Sequence, residues 1–519
     1  MSGTSDPVGR HGFEQMPGMP RDLFNERLIE RVHPPQWQNP KPRERYNLVV
    51  IGAGTAGLTC AAAAAALGGK VALIERNLMG GDCLNVGCVP SKILVRSARV
   101  LADMRNAEEF GVRMPAGIET DFGWTMERLR RLRARLAQHD SAARFRELGV
   151  DVFFGDARFC GPDAVDVNGA RLRFARAVIA TGASAVQPAI PGLAETGVLT
   201  NETVFDLTER PKRLLVIGGG PLGCEIAQAF RRLGSEVSLF HRAPHFLPQE
   251  EREAAQLLDA SFQRDGMQLH LNTEVQRIER GENGKTLHLL KEGRQTQVDG
   301  DEIVIGAGRA PNVKNLGLEA AGVAYDEKKG VQVDDGLRTS NPRIYAAGDV
   351  CLATQYTHMA EASARIVIRN ALFAGRRKLS DLVVPWCTYT DPEIAHVGLY
   401  VRQAHMQKIA VRTFTVPMND VDRAILDGEE VGFVKISVRA GTDKIIGATV
   451  VGRHAGEMIN EITLAMVAGV GLKTISEVIH SYPTQAEAIR RAADAYNKSR
   501  LTPFWQRLSA RWLAWRLGQ

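Results

Sequence analysis

Two glycine-rich turns, each set between an apolar strand and a helix, restrict what this chain can fold into more than any other feature. The first, Gly52-Ala53-Gly54-Thr55-Ala56-Gly57, follows the apolar run NLVVI at 47–51 and opens an alanine-rich helix. The next strand, 71–74, ends at Glu75. The second turn, Gly218-Gly219-Gly220-Pro221-Leu222-Gly223, follows the strand 213–217 and leads through a helix to the strand 236–240. Glycines at this spacing allow a tight turn, close approach of backbone to a pyrophosphate, and close packing of helix on sheet. The helix N-terminus then offers free N–H groups to the phosphates. An acid ending the second strand, as Glu75 does, accepts hydrogen bonds from a ribose. The equivalent place in the second unit holds His241, followed by Arg242. A missing acid beside an arginine favours a 2′-phosphate, hence NADPH, with NADH still possible. The expectation is an α/β fold containing two doubly wound dinucleotide-binding domains.

With 519 residues the chain is too long for a single core, which leaves room for a third domain. Hydrophobic and charged fractions of 44% and 24% are ordinary for a globular protein. The net charge is +6 with the basic residues dispersed, so nothing asks for nucleic acid. No apolar run reaches membrane-spanning length, and the first residues carry charges and prolines instead of an apolar signal core. The expected location is the cytoplasm. Of seven cysteines only Cys83 and Cys88 are close in sequence, so a secreted disulfide framework is excluded. They lie in GGDCLNVGCVPSK, residues 80–92, just past the first nucleotide unit and at what reads as a helix start. Two thiols so spaced can close a small disulfide ring, and a helix N-terminus favours the thiolate. Beside a flavin, such a disulfide can accept electrons and pass them on by thiol–disulfide exchange.

Elsewhere the signals are plainer. Residues 1–45 form an extension with one helical stretch around 23–32; it has no cysteine, which argues against metal capture and for an arm packed on a domain or a partner subunit. Residues 126–146 place Leu129, Leu132 and Leu136 at helical spacing among many arginines, which reads as a solvated helix face. The strand 177–182 runs into Thr181-Gly182, EIVIGAG at 302–308 ends at Gly308, and RIYAAGD at 343–349 ends at Gly348-Asp349. Residues 503–519 form an amphipathic helix carrying Phe504, Leu508, Trp512 and Trp515 beside Arg507 and Arg511. Such a tail can dock on its own protein, the favoured reading, or lie on a membrane surface.

The string 80–92, the paired fingerprints, Gly348-Asp349 and the segment PWCTYTDPEIAHVG at 385–398 resemble the flavoprotein disulfide reductases over about residues 46–500. That family includes dihydrolipoyl dehydrogenase, glutathione reductase and mercuric reductase. The resemblance implies an FAD-binding domain at 46–190 and 306–380, an NAD(P)-binding domain at 191–305, a dimerisation domain at 381–500 and a homodimer. FAD would be held by Gly52, Gly54, Gly57, Glu75, Lys92, Thr181, Gly182, Gly348 and Asp349, and the nicotinamide nucleotide by Gly218, Gly220, Gly223, Arg242 and Gly308. It also implies that Cys88 faces the flavin as the charge-transfer thiolate and that Cys83 meets the substrate. Lys92 would sit near the flavin and pair with Glu225, since a buried cation requires an acidic partner.

Lipoamide and glutathione reductases place a histidine before Pro-Thr-x-x-Glu to protonate the departing thiolate; here that position is Tyr482, with Glu487 kept and His480 two residues earlier. A phenol with a pKa near 10 is a poor proton shuttle at neutral pH. Mercuric reductase resembles the chain at Tyr482 and in the second fingerprint. Yet no vicinal cysteine pair follows Cys387, and no Cys-rich N-terminal capture domain precedes the first fingerprint. The expected activity is reduction by NADPH, through FAD and the disulfide, of Hg(II) or another thiophilic metal ion, with Cys83 and Cys88 as transient ligands and no permanently bound metal. A dihydrolipoyl dehydrogenase-type reductase and a non-enzymatic flavin redox sensor are the alternatives.

Overall fold

The computed structural model describes residues 18–115, 117–282 and 284–518; the part of the N-terminal extension before residue 18 lies outside them. These residues divide into two compact units: one runs up to Pro244 and includes Met267–Leu382, and the other comprises His245–Gly266 and the residues from Val383 onward.

The first unit opens with helix α1 (Leu23–Val32), capped by the Asp22 carboxylate. Strand β1 (Tyr46–Ile51) then leads into α2 (Thr55–Ala66) and β2 (Val71–Glu75). Two short-loop helices, α3 (Gly81–Asn85) and α4 (Cys88–Arg105), carry the cysteines, and α5 (Phe122–Leu136) follows. Strands β3 (Val150–Phe154), β4 (Ala157–Gly161), β5 (Ala164–Val167) and β6 (Ala170–Ile179) complete a sheet ordered β3-β2-β1-β6-β5-β4. Strand β1 pairs in parallel with β2 and β6, and β1 and β2 are almost wholly buried, as their continuous apolar runs require.

The second nucleotide fold repeats the design with β7 (Arg213–Ile217), α6 (Pro221–Arg232) and β8 (Glu236–Phe240), extended by β9 (Gln268–His270). An antiparallel ribbon follows, of β10 (Thr273–Gly281), β11 (Gly284–Lys291) and β12 (Arg294–Gly300), and then β13 (Glu302–Ile305) returns to the parallel sheet in the order β9-β8-β7-β13. Strand β14 (Ile344–Ala346) rejoins β6 of the first sheet, and α7 (Thr357–Phe373) follows. In both folds the third fingerprint glycine fixes the approach of helix to turn. A Cβ on Gly57 would overlap the Gly52 carbonyl oxygen, and one on Gly223 would overlap that of Gly218.

The second unit holds an antiparallel sheet of β15 (Pro385–Thr388), β16 (Glu393–Gly398), β17 (Val411–Pro417), β18 (Phe433–Arg439) and β19 (Ile445–Gly452), ordered β15-β16-β19-β18-β17. Helices α8 (Ala455–Ala468) and α9 (Glu487–Ser499) cover its core. The segment 245–266 belongs to this unit rather than to the nucleotide fold in which its sequence position places it. Glu250 explains this: its carboxylate accepts from Trp386 Nε1 (2.9 Å) and Tyr400 Oη (2.6 Å).

Two sequence expectations differ from what the structure shows. The arginine-rich helix α5 is not a solvated face, because Arg130 and Arg133 are buried. Arg133 donates to the Asn25 side chain and to the Asn85 carbonyl, both at 2.8 Å, and Arg130 pairs with Asp22. Helix α10 (Pro503–Arg516), expected to dock on its own protein, has no buried residue within the single chain. Arginines border its aromatic stripe, so packing that stripe on an apolar surface would bury charge.

Candidate active site

Gly80 and Gly81 both take positive φ (92° and 56°) and turn the chain into α3. A Cβ on Gly81 would lie 2.6 Å from Gly54 Cα, so glycine there lets the cysteine loop rest on the first fingerprint. Cys83 sits in α3, and Cys88 begins α4, whose N-terminus has no side-chain cap. Both are thiols and hydrogen-bonded to each other. Cys88 Sγ also lies 3.1 Å from Thr357 Oγ1, at the start of α7. The Cys83 hydrogen bond, then Thr357 and the Lys92 charge, outweigh burial and hold the Cys88 thiol down at about 6. Cys83 is raised by that same hydrogen bond and by burial. One turn beyond Cys88, Lys92 Nζ donates to Glu225 Oε2 at 2.7 Å. Glu225 is only 4% exposed and lies on α6, so this pair joins the two nucleotide folds.

Around this pair the first fold forms a backbone cradle. Gly54 starts α2 with no side-chain cap, leaving N–H groups for a phosphate. Glu75 Oε2 accepts from Ala53 N (2.7 Å) and Oε1 from Asn77 N (2.8 Å); burial raises its pKa. Thr181 Oγ1 donates to the Asn312 carbonyl at 2.7 Å, and Gly182 O accepts from Asn312 N at 2.9 Å. Asp349 follows Gly348, and burial pushes its carboxyl up to about 6 against the pull of Arg309, whose Nε lies 3.7 Å away. Arg309 also pairs with Asp82, next to Cys83.

The second fold repeats the cradle with a different side chain. Gly220 starts α6 without a side-chain cap, behind Gly218 at φ 119°. Where Glu75 accepts from the first turn, His241 Nδ1 accepts from Gly219 N at 3.2 Å. Burial and then the Arg242 charge lower the His241 pKa, so the ring is neutral and carries its proton on Nε2. Arg242 lines a cavity of about 580 Å³ with Asn272 and Glu292. Gly308, at φ 108°, accepts from Val186 N.

In the other unit Tyr482 is 71% exposed, and its hydroxyl donates to Asp422 Oδ2 at 3.0 Å, which raises its pKa. It does not bond Glu487. Glu487 Oε1 accepts from Arg490 (2.8 Å) and Arg491 (3.3 Å), and Arg491 reaches Asp422 (3.0 Å). Tyr482 and Glu487 are therefore linked by hydrogen bonds through Asp422 and Arg491. His480 is held by Glu461 at 2.9 Å.

The pyridine nucleotide-disulphide oxidoreductase family matches residues 46–365, and the dimerisation domain of the same family matches 384–493. The chain belongs to this family. Mercuric reductase from Staphylococcus aureus is 35% identical over 87% of this chain and 83% of its own. Dihydrolipoyl dehydrogenase from Thermus scotoductus is 35% identical over 87% and 98%. Among solved structures, the HOCl-induced flavoprotein disulfide reductase RclA from Escherichia coli superposes with a TM-score of 0.76 at 30% identity, over 86% of this chain and 99% of its own. Its Cu(II) complex has also been solved and matches with the same TM-score and identity, over 86% and 98%.

As a family member the protein is an FAD-dependent NAD(P)H oxidoreductase and a homodimer. The cradle fits FAD. The uncapped N-termini of α2 and α7 leave N–H groups for phosphate and ring, Glu75 suits a ribose, and Asp349 lies near enough to Cys88 to feel its charge. Three neighbours of the dithiol escaped sequence reasoning: Thr357, Asp140, whose charge acts on Cys83, and Arg309 as the partner of Asp82. Of these, only Arg309 stands in a recognisable string, AGRAPN.

Proposed function

We propose that this oxidoreductase draws two electrons from NADPH and delivers them, through Cys83 and Cys88, to a thiophilic metal ion, with Hg(II) the leading substrate. One observation carries the reading: the residue at the proton-donor position is Tyr482, a phenol that Asp422 makes less acidic still. Such a group cannot cede a proton to a departing thiolate at neutral pH. A thiophilic cation needs no such proton; it needs deprotonated sulfur. The names of the relatives, mercuric reductase among them, and the Cu(II) complex of RclA support the same substrate class.

Cys88 already carries a thiolate at neutral pH, with the Lys92 charge nearby. Hg(II) bridges it to Cys83, whose proton is released. The Cys83–Cys88 bond then forms, and the metal takes up the two electrons and leaves as Hg(0). Bound in the first cradle, FAD supplies the relay that returns the electrons of a nicotinamide hydride to the disulfide. Tyr482 of the partner subunit offers the ion an oxygen ligand. In the second fold Arg242 offers a cation beside the turn, where the first fold has the acid Glu75, and a cation there suits a 2′-phosphate.

The test is NADPH oxidation by the purified holoenzyme with Hg(II) in excess small thiol, Cu(II), oxidised glutathione and lipoamide, comparing wild type with Tyr482→His. Metal-ion turnover should fall in the variant and disulfide turnover should rise. Arg242→Glu should cut the NADPH preference in kcat/KM roughly tenfold to a hundredfold, the worth of one charge-assisted hydrogen bond of about 1.5–3 kcal/mol. Brisk wild-type turnover of lipoamide with none of Hg(II) would instead make the protein a dihydrolipoyl dehydrogenase.

A further inference from the structure

Helix α10 lies beyond the part of the chain that the dimerisation domain matches, which stops at residue 493. It is an independently capped element: Thr502 caps it and Pro503 occupies its first turn. Phe504, Leu508 and Trp512 follow one another at i, i+4, i+8, with Trp515 and Trp505 on either side, so one stripe about 100° wide carries four aromatic rings and a leucine. Arg507 and Arg511 border this stripe on one side and Arg516 on the other, the last over the Trp512 ring. Three of the six tryptophans of the chain stand here, and all three are exposed. From Lys498 onward the sequence holds Lys498, Arg500, Arg507, Arg511 and Arg516 and no acid.

From this we infer that α10 is a docking surface for an anionic lipid bilayer. Aromatic rings settle at the boundary between headgroup and acyl chain, while arginines flanking them reach back to the phosphates with their apolar stems still buried. Charged side chains that are all cationic are complementary to an anionic leaflet. A second copy of the chain is a poorer occupant. The unit also exposes Leu464 and Val467 on α8, a helix with no arginine, which suits a second copy better. The helix would hold the reductase at a membrane surface without spanning the bilayer, and among the described residues no helix is long and apolar enough to cross one.

The experiment uses the FAD-loaded full-length dimer and sonicated vesicles of phosphatidylcholine, with or without phosphatidylglycerol. Cosedimentation and the tryptophan emission maximum are read at low and high salt. Expected are binding to the anionic vesicles with a blue shift, at least tenfold weaker binding to pure phosphatidylcholine, and loss at high salt. Trp512→Ala with Trp515→Ala, and separately Arg507→Glu with Arg511→Glu, should each reduce binding at least tenfold and leave NADPH turnover in solution unchanged. Equal binding to both vesicle types, or full binding by a protein truncated after residue 500, would overturn the inference. So would a truncated protein that becomes monomeric yet still binds, since the helix would then be a dimer strap.

Discussion

At Cys88 five influences act on one sulfur, the Glu225 charge, which raises its pKa, being the last of them. The Cys83 hydrogen bond leads, burial opposes it, and Thr357 and Lys92 add to the lowering. The sign follows. The folded value, about 6, lies below the free-thiol value of about 8.5, so the thiolate is present above pH 6 and is lost as pH falls through it. The stability it adds to the reduced protein is complete above about pH 8.5 and vanishes as the pH falls through about 6. Thr357→Val removes one hydrogen bond to a charged sulfur, worth about 1.5–3 kcal/mol, and should move the midpoint up by about 1–2 pH units. The pH dependence of the first alkylation of the reduced protein by iodoacetamide measures it, and an unchanged midpoint in the variant would refute the role of the hydroxyl. The cysteines were legible in the sequence because their spacing and place after a nucleotide fold are local signals. Thr357 was not: it lies 269 residues from Cys88, and only the closing of the sheet by β14 brings it there.

Among the elements, α5 shows how a composition can mislead. A string of arginines on a helix normally faces water, yet Arg133 is wholly buried because it has two acceptors, the Asn25 side chain on α1 and the Asn85 carbonyl inside the cysteine loop. Asn85 in turn donates to the carbonyls of Met79 and Gly81. The N-terminal arm is thus tied through one guanidinium to the back of the redox loop. Arg133→Leu leaves two buried acceptors without this donor, at about 1–3 kcal/mol each, so a loss of about 2–6 kcal/mol is expected in urea unfolding. Hydrogen exchange should accelerate at residues 79–87 and stay unchanged in the β10–β12 ribbon. If both regions respond alike, the arginine supports the fold in general and not the loop. The strands and fingerprints were readable because strand, glycine turn and helix are written contiguously; the arm's grip depends on partners far apart in sequence.

For the molecule as a whole, we expect the homodimer to cover apolar residues that the single chain leaves open. Leu464, Val467 and Ile479 are exposed at 68%, 65% and 96%. A charge placed among them, Leu464→Asp, should shift the sedimentation equilibrium towards monomer. Under the proposed function, in which the acceptor site draws on Tyr482 of the partner subunit, Hg(II) turnover should be lost, whereas transfer of NADPH electrons into the enzyme should persist. Full acceptor turnover by a monomer would show that one chain suffices. The Lys92–Glu225 bridge has a different consequence, for recombination. Its cation belongs to the first nucleotide fold and its acid to the second. A nucleotide lobe transplanted from a relative to alter coenzyme choice can bring its own ribose-reading residues freely, but it must also bring an acid at position 225. A chimaera lacking it would take from Lys92 the carboxylate it pairs with beside the thiols, and would be selected against before its coenzyme preference was ever tested.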